Sequence, residues 1–405
     1  MTGARRAVPL LGLTQIVGYG TLIYAVVLTA PRIAEDMGWS RALTLGGLSF
    51  GLLVAGLLSP HVGARIESWG GRRVMATGSL VAALGLAAMA SVSHPLAYFA
   101  VWGVLGAAMS MALYDPAFAT LGTLFREGAR SRITALTLIA GFASTLSWPV
   151  THWLLEALDW RGTYLVYAGA MLGLALPAHL LLPVPPRDAE ATTARSAPTP
   201  AAGDHLFADA AARGARAAFW GLAIGFSANA FLFIGLSAHL LAVFIDLGLA
   251  AAAAVTVGTV IGPSQVGARM LEFAVARRVS PLIVGLTAAA TLPLAFLLLA
   301  TLGLTPASAA AFAVLYGGAN GLVTIVRGTL PLALFGPDGY ARLLGRIARP
   351  VLITGALAPF AMGAAIDLAG PTAPLLLGFA AACLSFAGLA WVVAVRRRVH
   401  ASRAT

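Results

Sequence analysis

Val62 to Val74 reads VGARIESWGGRRV, and Val266 to Val279 reads VGARMLEFAVARRV. The two stretches carry a Gly-Ala-Arg triplet, a glutamate and an Arg-Arg-Val ending in the same order, about half the chain apart. Two shorter matches have nearly the same offset, because Phe-Ala-Val recurs at 99 and 312 and Leu-Phe recurs at 124 and 334. A duplication explains these repeats, so the chain is predicted to consist of two halves with the same layout.

The composition indicates that most of the chain lies in lipid. Of its 405 residues, 59% are hydrophobic and 10% are charged, compared with about 25% charged residues in a typical soluble domain. The single cysteine excludes an intramolecular disulfide framework. The net charge of +11 comes from arginines set between apolar runs. This pattern is typical of a membrane protein and argues against nucleic-acid binding.

Apolar runs long enough to cross a bilayer, about 20 residues each, occur on both sides of one polar break. The predicted spans are 8–30, 42–63, 74–92, 96–122, 133–155, 163–183, 217–241, 249–271, 280–301, 306–333, 350–368 and 372–395. We therefore predict an all-α integral membrane protein with twelve transmembrane helices in two pseudo-symmetric six-helix bundles. The predicted parts are an N-terminal bundle (1–183), a cytoplasmic linker (184–216), a C-terminal bundle (217–395) and a cytoplasmic tail (396–405).

The arginines predict the orientation of these spans. They fall mainly in alternate connecting segments, and the opposite segments hold only Arg32, Arg41 and Arg161. Segments rich in arginine stay in the cytoplasm, and an even number of spans returns the chain to the side where it began. We expect a multi-pass protein of a bacterial inner (plasma) membrane with both termini in the cytoplasm.

The stretch VGARIESWGGRRV falls in the predicted turn between spans two and three. Its spacing resembles the Gly-x-x-x-Asp-x-x-Gly-x-Arg signature of the major facilitator superfamily, with glutamate in the acidic place, and the resemblance covers all twelve spans. It implies two parallel six-helix repeats that expose a central cavity to each side in turn. In that motif the acid pairs with arginines or a helix N-terminus across the halves and holds the cytoplasmic side shut.

The alternative is that these charges only anchor a loop to the lipid headgroups. The residues assigned to the predicted cytoplasmic gate are Gly63, Arg65, Glu67, Gly70, Arg72, Arg73, Gly267, Arg269 and Glu272.

Two ionisable residues lie within the predicted spans, Asp115 in span four and Arg327 in span ten. The repeat places these opposite charges at nearly the same depth on equivalent helices. Charges in a membrane are costly and usually face a cavity or a partner. In the resembling family spans one, four, seven and ten line the central path. The resemblance therefore implies that the two charges pair as an inner gate, or serve protons and an anionic substrate. The alternative is snorkelling to the nearby interface.

Polar side chains on neighbouring helices complete the predicted path for substrate and protons. Tyr316, Asn320 and Arg327 can share one stripe of span ten. Each polar side chain could instead join helices to one another by hydrogen bonds. The path residues are Gln15, Tyr19, Asp115, Asn229, Gln265, Tyr316, Asn320 and Arg327.

Two motifs favour one branch of the family over another. Drug–proton antiporters carry an Arg-x-x-x-Gly on helix four and a Gly-Pro on helix five, where this chain has Trp102 and Trp148-Pro149. The stretch GYGTLIYAVVLTAPRIAEDMGWSR (Gly18 to Arg41) is similar to monocarboxylate and oxalate–formate type transporters. Span eight has no arginine at its centre, since Arg269 is expected near its inner end. An organic-anion substrate therefore rests mainly on Arg327.

These features predict a secondary active transporter that moves a small solute, with an organic anion favoured, by alternating access coupled to protons or exchange. The alternatives are a drug or metabolite efflux permease of the same fold and a non-transporting membrane sensor. The sequence contains no HExxH, phosphate-binding loop or Cys/His cluster. No catalytic residue, metal or cofactor is assigned. The expected partners are a small-molecule substrate, for which the resemblance implies a carboxylate, and the lipid bilayer. No nucleic acid is expected to bind, and the protein is expected to be a monomer.

Overall fold

The computed structural model describes the backbone of residues 2–125, 128–184, 205–276 and 278–404, and the side chains of 6–125, 128–184, 213–276 and 278–398. Helices account for nearly all of the described residues, and no strand occurs among them. The all-α prediction is confirmed.

The first half contains six helices, numbered α1 to α6. Helix α1 consists of Thr2–Tyr19, the π-helical turn Gly20–Tyr24 and Val26–Met37. Helix α2 spans Arg41–Trp69 and α3 spans Gly71–Met89. Helix α4 consists of Pro95–Ala112 and Tyr114–Leu124. The helical run continues as Ala129–Ala140, Ala143–Ala170, Met171–Ala175 (a π-helical turn) and Leu176–Leu180. The backbone turns sharply at Asp159, with φ 62° and ψ −174°, so α5 ends and α6 begins there.

The second half contains the remaining six helices. Their bounds are α7, His205–Asp246; α8, Ala251–Val275; α9, Pro281–Leu302; α10, Pro306–Phe335; α11, Tyr340–Ala369; and α12, Ala373–Ala404. Two of them begin about one helical turn or more before the predicted spans, because α7 and α11 open with arginines among alanine and leucine. These residues are good helix formers but are too polar to register as an apolar run. Residues 185–204 of the predicted linker lie outside the described residues.

The helices are long and apolar enough for a membrane protein. Ten helical segments of the described chain meet that criterion, and one of them, of 52 residues, contains both α5 and α6. The helix α3, with 19 residues, is not among the ten but is close to the length that a span needs. Large apolar side chains such as Leu84, Trp153 and Leu376 are exposed, as expected for a surface that faces lipid. The chain is a multi-pass integral membrane protein.

The buried core is divided between the halves, with one exception. Two apolar clusters are built mainly from α1 to α6 and two from α7 to α12. The exception is α11, whose residues Tyr340, Leu344 and Ala356 belong to the clusters of the first half. The helix α11 therefore connects the two bundles along its length.

Candidate functional site

Two ion pairs join the halves at the end that holds the α2–α3 and α8–α9 turns, which we call the arginine-rich end. Glu67 Oε2 lies 2.5 Å from Arg342 Nε, and Glu272 Oε1 lies 3.0 Å from Arg130 Nη2. Each pair connects the turn motif of one half to the first turn of a helix in the other half, α11 or α5. Glu67 also lies near the positive end of the α11 dipole, because its Oε1 atom is 3.5 Å from the backbone N–H of Arg342.

The other residues of the predicted gate divide into those that contact the opposite half and those that do not. A Cβ atom at Gly63 would overlap the backbone carbonyl of Ala341, so this glycine permits close packing of α2 on α11. Gly70 has φ 82°, which is a conformation that favours glycine. Arg65 lies 4.2 Å above the ring of Trp69 in its own helix. Four members are exposed, namely Arg65, Arg72, Arg73 and Gly267.

Asp115 and Arg327 form a third ion pair between the halves. Arg327 Nη2 donates a hydrogen bond of 2.5 Å to Asp115 Oδ2, and both side chains are mostly buried. The pair joins α4 to α10, as the inner-gate form of the prediction requires. The two side chains therefore do not snorkel to the interface. The role of this ion pair in transport stays a prediction.

The helix α4 breaks immediately before Asp115. Leu113 has φ −88° and ψ −157°, and Pro116 has no N–H to donate to the carbonyl of Ala112 four residues earlier. The Nε2 atom of Gln15 donates to that carbonyl at 2.9 Å, from a side chain that is fully buried. Gln15 therefore compensates for the break and joins α1 to α4, which favours the helix-joining alternative for this residue.

A group of aromatic rings lies beside the Asp115–Arg327 pair. The ring centroid of Tyr19 is 4.7 Å from that of Tyr114 and 6.1 Å from that of Tyr24. The charges of Arg327 and Asp115 both act on the hydroxyl group of Tyr19. We call Tyr19, Tyr24 and Tyr114 the tyrosine cluster. The predicted path included Tyr19 but not Tyr114, although Tyr114 directly precedes the Asp-Pro pair that marked this part of α4.

The polar residues predicted on α7 and α10 mainly join those two helices. The hydroxyl group of Tyr316 donates to the carbonyl of Phe233 at 3.2 Å, and its ring is fully buried. Asn229 Nδ2 lies 3.5 Å from Asn320 Oδ1, which makes a long hydrogen bond between the same helices. These contacts favour the helix-joining alternative for all three predicted path residues.

Arg269 is the main departure from the sequence-based expectation. It is only 6% exposed and lies within α8 rather than in the turn. Its guanidinium group donates to the carbonyl of Thr137 in α5 at 3.2 Å, to the carbonyl of Gly321 in α10 at 3.4 Å and to Gln265 Oε1 at 3.4 Å. Arg269 lies near the inner end of α8, as expected, but its side chain turns inward instead of staying among the charges of the turn.

The partners of Arg269 are all neutral. Within the described part of the chain, Asp115 is paired with Arg327 and Glu272 with Arg130, so neither carboxylate neutralises Arg269. Its charge acts on the hydroxyl groups of Tyr24 and Tyr114 on the other half. A buried cation with neutral partners is unfavourable on its own and attracts an anion. Arg269 is therefore a candidate residue for binding an anion.

Comparisons with known proteins agree with this architecture. The human protein "Monocarboxylate transporter 11" is 33% identical over 156 residues, which is 38% of this chain and 31% of the length of that relative. The structure of the human organic anion transporter MFSD10 (TETRAN) matches 95% of this chain and 99% of its own with a TM-score of 0.69 and 18% identity. The E. coli fucose:proton symporter FucP matches 96% and 98% with a TM-score of 0.70 and 14% identity.

Both structural likenesses are likenesses of fold, and the human relative is matched over about a third of its length. The family profile described as Major Facilitator Superfamily matches residues 10–349, which include the repeated turn motif and every ion pair between the halves described above. The chain therefore belongs to the major facilitator superfamily.

Proposed function

We propose that the protein is a secondary transporter that moves a small organic anion across the membrane by alternating access. The observation that carries this proposal is Arg269, a buried guanidinium group whose hydrogen-bond partners are all neutral. A carboxylate that entered the region between the halves would provide the missing negative charge. A charge-assisted hydrogen bond to Arg269 would also orient it, because the guanidinium group presents a planar pair of donors.

The three ion pairs between the halves provide the gate in this proposal. We infer that the arginine-rich end is cytoplasmic, from the distribution of arginines. In this proposal the pairs Glu67–Arg342, Glu272–Arg130 and Asp115–Arg327 hold the cytoplasmic side closed. Opening the cytoplasmic side requires all three pairs to separate.

Two features support an anionic substrate over a neutral one. The names of two similar proteins, monocarboxylate transporter 11 and the organic anion transporter MFSD10, refer to anionic substrates of those proteins. The local charge is the second feature, because the Asp115–Arg327 pair is neutral and Arg269 adds one positive charge. We infer that transport is coupled to protons or to exchange, with the carboxyl group of Asp115 as the proton-binding group.

Counterflow in proteoliposomes tests the proposal. Vesicles that contain the full-length protein are loaded with an unlabelled carboxylate such as benzoate, and uptake of the labelled acid is measured. We expect the Arg269→Gln variant to lose at least about 10-fold in uptake, since a hydrogen bond to a charged group contributes about 1.5–3 kcal/mol. Arg41→Gln is the matched control, because Arg41 is exposed at the start of α2 and should leave uptake unchanged.

The outcomes separate the alternatives. Equal uptake by the Arg269→Gln variant and the unaltered protein would contradict the assignment of Arg269 as the anion-binding residue. Exchange of neutral drugs but not of acids would favour an efflux permease. Binding of acids without any exchange would identify a sensor.

A further inference from the structure

The tyrosine cluster differs from the other buried tyrosines of this protein. The fully buried tyrosines each have a hydrogen-bond partner: the hydroxyl group of Tyr98 donates to the carbonyl of Thr44, and that of Tyr164 lies 2.9 Å from Thr29 Oγ1. In contrast, the hydroxyl groups of Tyr19, Tyr24 and Tyr114 have no hydrogen-bond partner among the described residues, and the three side chains are only partly buried. Buried polar groups are normally satisfied, so these rings line a space rather than fill a core.

A local distortion of α1 brings two of these rings together. Residues five apart in a regular α-helix point in different directions. The π-helical turn Gly20–Tyr24 has more residues per turn, so Tyr24 comes round to the side of Tyr19, and their ring centroids lie 6.1 Å apart. Gly20 allows this turn to lie close to Ser147 of α5, because a Cβ atom there would be 2.5 Å from Ser147 Oγ. Single π-helical turns of this kind are frequent at functional sites.

The third ring, Tyr114, comes from α4 and is held in place by a neighbouring ring of the same helix. Tyr114 stacks on Phe118 with ring centroids 5.1 Å apart and an angle of 13° between the rings. It also lies 4.7 Å from Tyr19. The cluster therefore presents aromatic faces and edges that are held by other rings and by the backbone, so little side-chain freedom is lost when a ligand packs against them.

The same space is within reach of the uncompensated cation. The π-helical turn and Arg269 both approach α5, because a Cβ atom at Gly20 would lie 2.5 Å from Ser147 Oγ and one at Gly141 would lie 2.9 Å from Arg269 Nη1. No hydrogen bond joins Arg269 to Tyr24 or Tyr114 in the described chain, so its guanidinium group is not engaged by the rings. We propose that the substrate is an aromatic carboxylate, whose carboxylate group pairs with Arg269 and whose ring packs against Tyr24 and Tyr114. This inference rests on the anion transport proposed above.

Two acids of similar size test the inference directly. Benzoate and cyclohexanecarboxylate share a carboxylate and a six-membered ring, and only benzoate can stack on or meet a tyrosine edge as an aromatic group. Binding of each acid to the purified full-length protein is measured by calorimetry, and each is used to compete against labelled benzoate in counterflow. We expect benzoate to bind about 5-fold more tightly, which is within the range measured for single aromatic pairs.

Variants of the cluster show which atoms are responsible. In the Tyr24→Leu and Tyr114→Leu variants, benzoate and cyclohexanecarboxylate should bind with about equal affinity, because both acids still bind through Arg269. Tyr24→Phe and Tyr114→Phe are the matched controls, because they keep the ring and remove only the hydroxyl group, and they should keep the preference.

Each outcome bears on one claim. Equal binding of the two acids by the unaltered protein overturns the aromatic inference and leaves anion transport intact, whereas binding of neither acid overturns the proposed function itself. Retention of the preference by both leucine variants also overturns the inference. If a leucine variant does not fold, the ratio measured for the unaltered protein still decides.

Discussion

The two seams between the halves come from the same repeated sequence but are built differently. Along the α2–α11 seam the backbones approach closely, because a Cβ atom at Gly63 would overlap the carbonyl of Ala341 and one at Gly345 would overlap the carbonyl of Ser59. On the α5–α8 seam, Gly267 occupies the place equivalent to Gly63 and has no atom within 4 Å of a Cβ position. One seam is closely packed, and the other is open.

The open seam depends on charges. The buried residues of α8 are few, and two of them are Arg269 and Glu272. At the equivalent place in α2, Arg65 is exposed and lies over Trp69. The comparison teaches that one duplicated motif makes two kinds of contact, a closely packed one on one side and a charged one on the other. We expect the closely packed α2–α11 seam to resist separation more than the α5–α8 seam when the halves move.

The largest expected effect comes from filling the packed seam. The Gly63→Val variant would force side-chain atoms into the Ala341 backbone, which cannot move away as a flexible side chain could, at a cost of about 1–3 kcal/mol or more. We expect a lower melting temperature in detergent and loss of transport. Gly267→Val is the matched control at the equivalent place in the open seam and should be tolerated. Equal destabilisation by both substitutions would remove the difference between the seams.

A smaller effect is expected from removing one acid of each gate pair. The side chain of Glu272 is 1% exposed, whereas that of Glu67 is 20% exposed and its partner Arg342 is 60% exposed. Loss of one partner costs more for a buried pair than for an exposed one, whose contribution is about 0–1 kcal/mol, but Arg130 is 24% exposed and can be hydrated when it loses Glu272. Glu272→Gln should therefore open the arginine-rich end more than Glu67→Gln.

Cysteine labelling measures this opening. The native Cys383 is exposed, so it is first replaced by serine, and a reporter cysteine is introduced at Thr123 near the end of α4. A labelling rate that rises more for Glu67→Gln than for Glu272→Gln would contradict the assigned roles of the two pairs.

Reversing the exposed pair should have a still smaller effect. In the double variant Glu67→Arg with Arg342→Glu the charges are exchanged, so part of the transport lost in either single variant should return. The expected coupling energy is about 1 kcal/mol or less because Arg342 is mostly exposed. Absence of any recovery would mean that Glu67 acts mainly on the N-terminus of α11, where the backbone N–H of Arg342 lies 3.5 Å from Glu67 Oε1.

The smallest effect is expected at Arg65. Its guanidinium group packs on Trp69 within one helix, and an exposed cation–π contact contributes about 0.5–1 kcal/mol. Arg65→Ala should lower the melting temperature slightly and leave transport unchanged, whereas the equivalent change at Arg269 should abolish transport. Loss of transport in Arg65→Ala would show that the two seams are more alike than their contacts indicate.

The repeat in the sequence predicted the parts of the site that depend on spacing and charge. It indicated that Asp115 and Arg327 lie at equal depth, and it marked Glu67 and Glu272 as equivalent acids. The structure brings each of these four residues to a partner on the opposite half. A charge in an apolar chain is costly unless it has a partner, so the pairing of opposite charges at equal depth can be predicted from the sequence.

The side of a helix that a residue faces was not predictable in the same way. Arg65 and Arg269 stand at equivalent places in the repeat, yet only Arg269 turns inward. Tyr114 is an aromatic residue in an apolar run, where packing in a core is the usual role. The π-helical turn that orients Tyr24 depends on contacts with α5 and has no signature in hydropathy. These features arise from tertiary packing and need the structure.

The break in α4 has a consequence for how this chain can change over time. Pro116 deprives the carbonyl of Ala112 of its helical donor, and Gln15 of α1 replaces that donor. Each residue depends on the other. Without Pro116, Gln15 would find no free acceptor, and without Gln15 the carbonyl of Ala112 would be unsatisfied within the membrane. We expect the two positions to covary among homologous chains, as a single inherited unit on two separate helices.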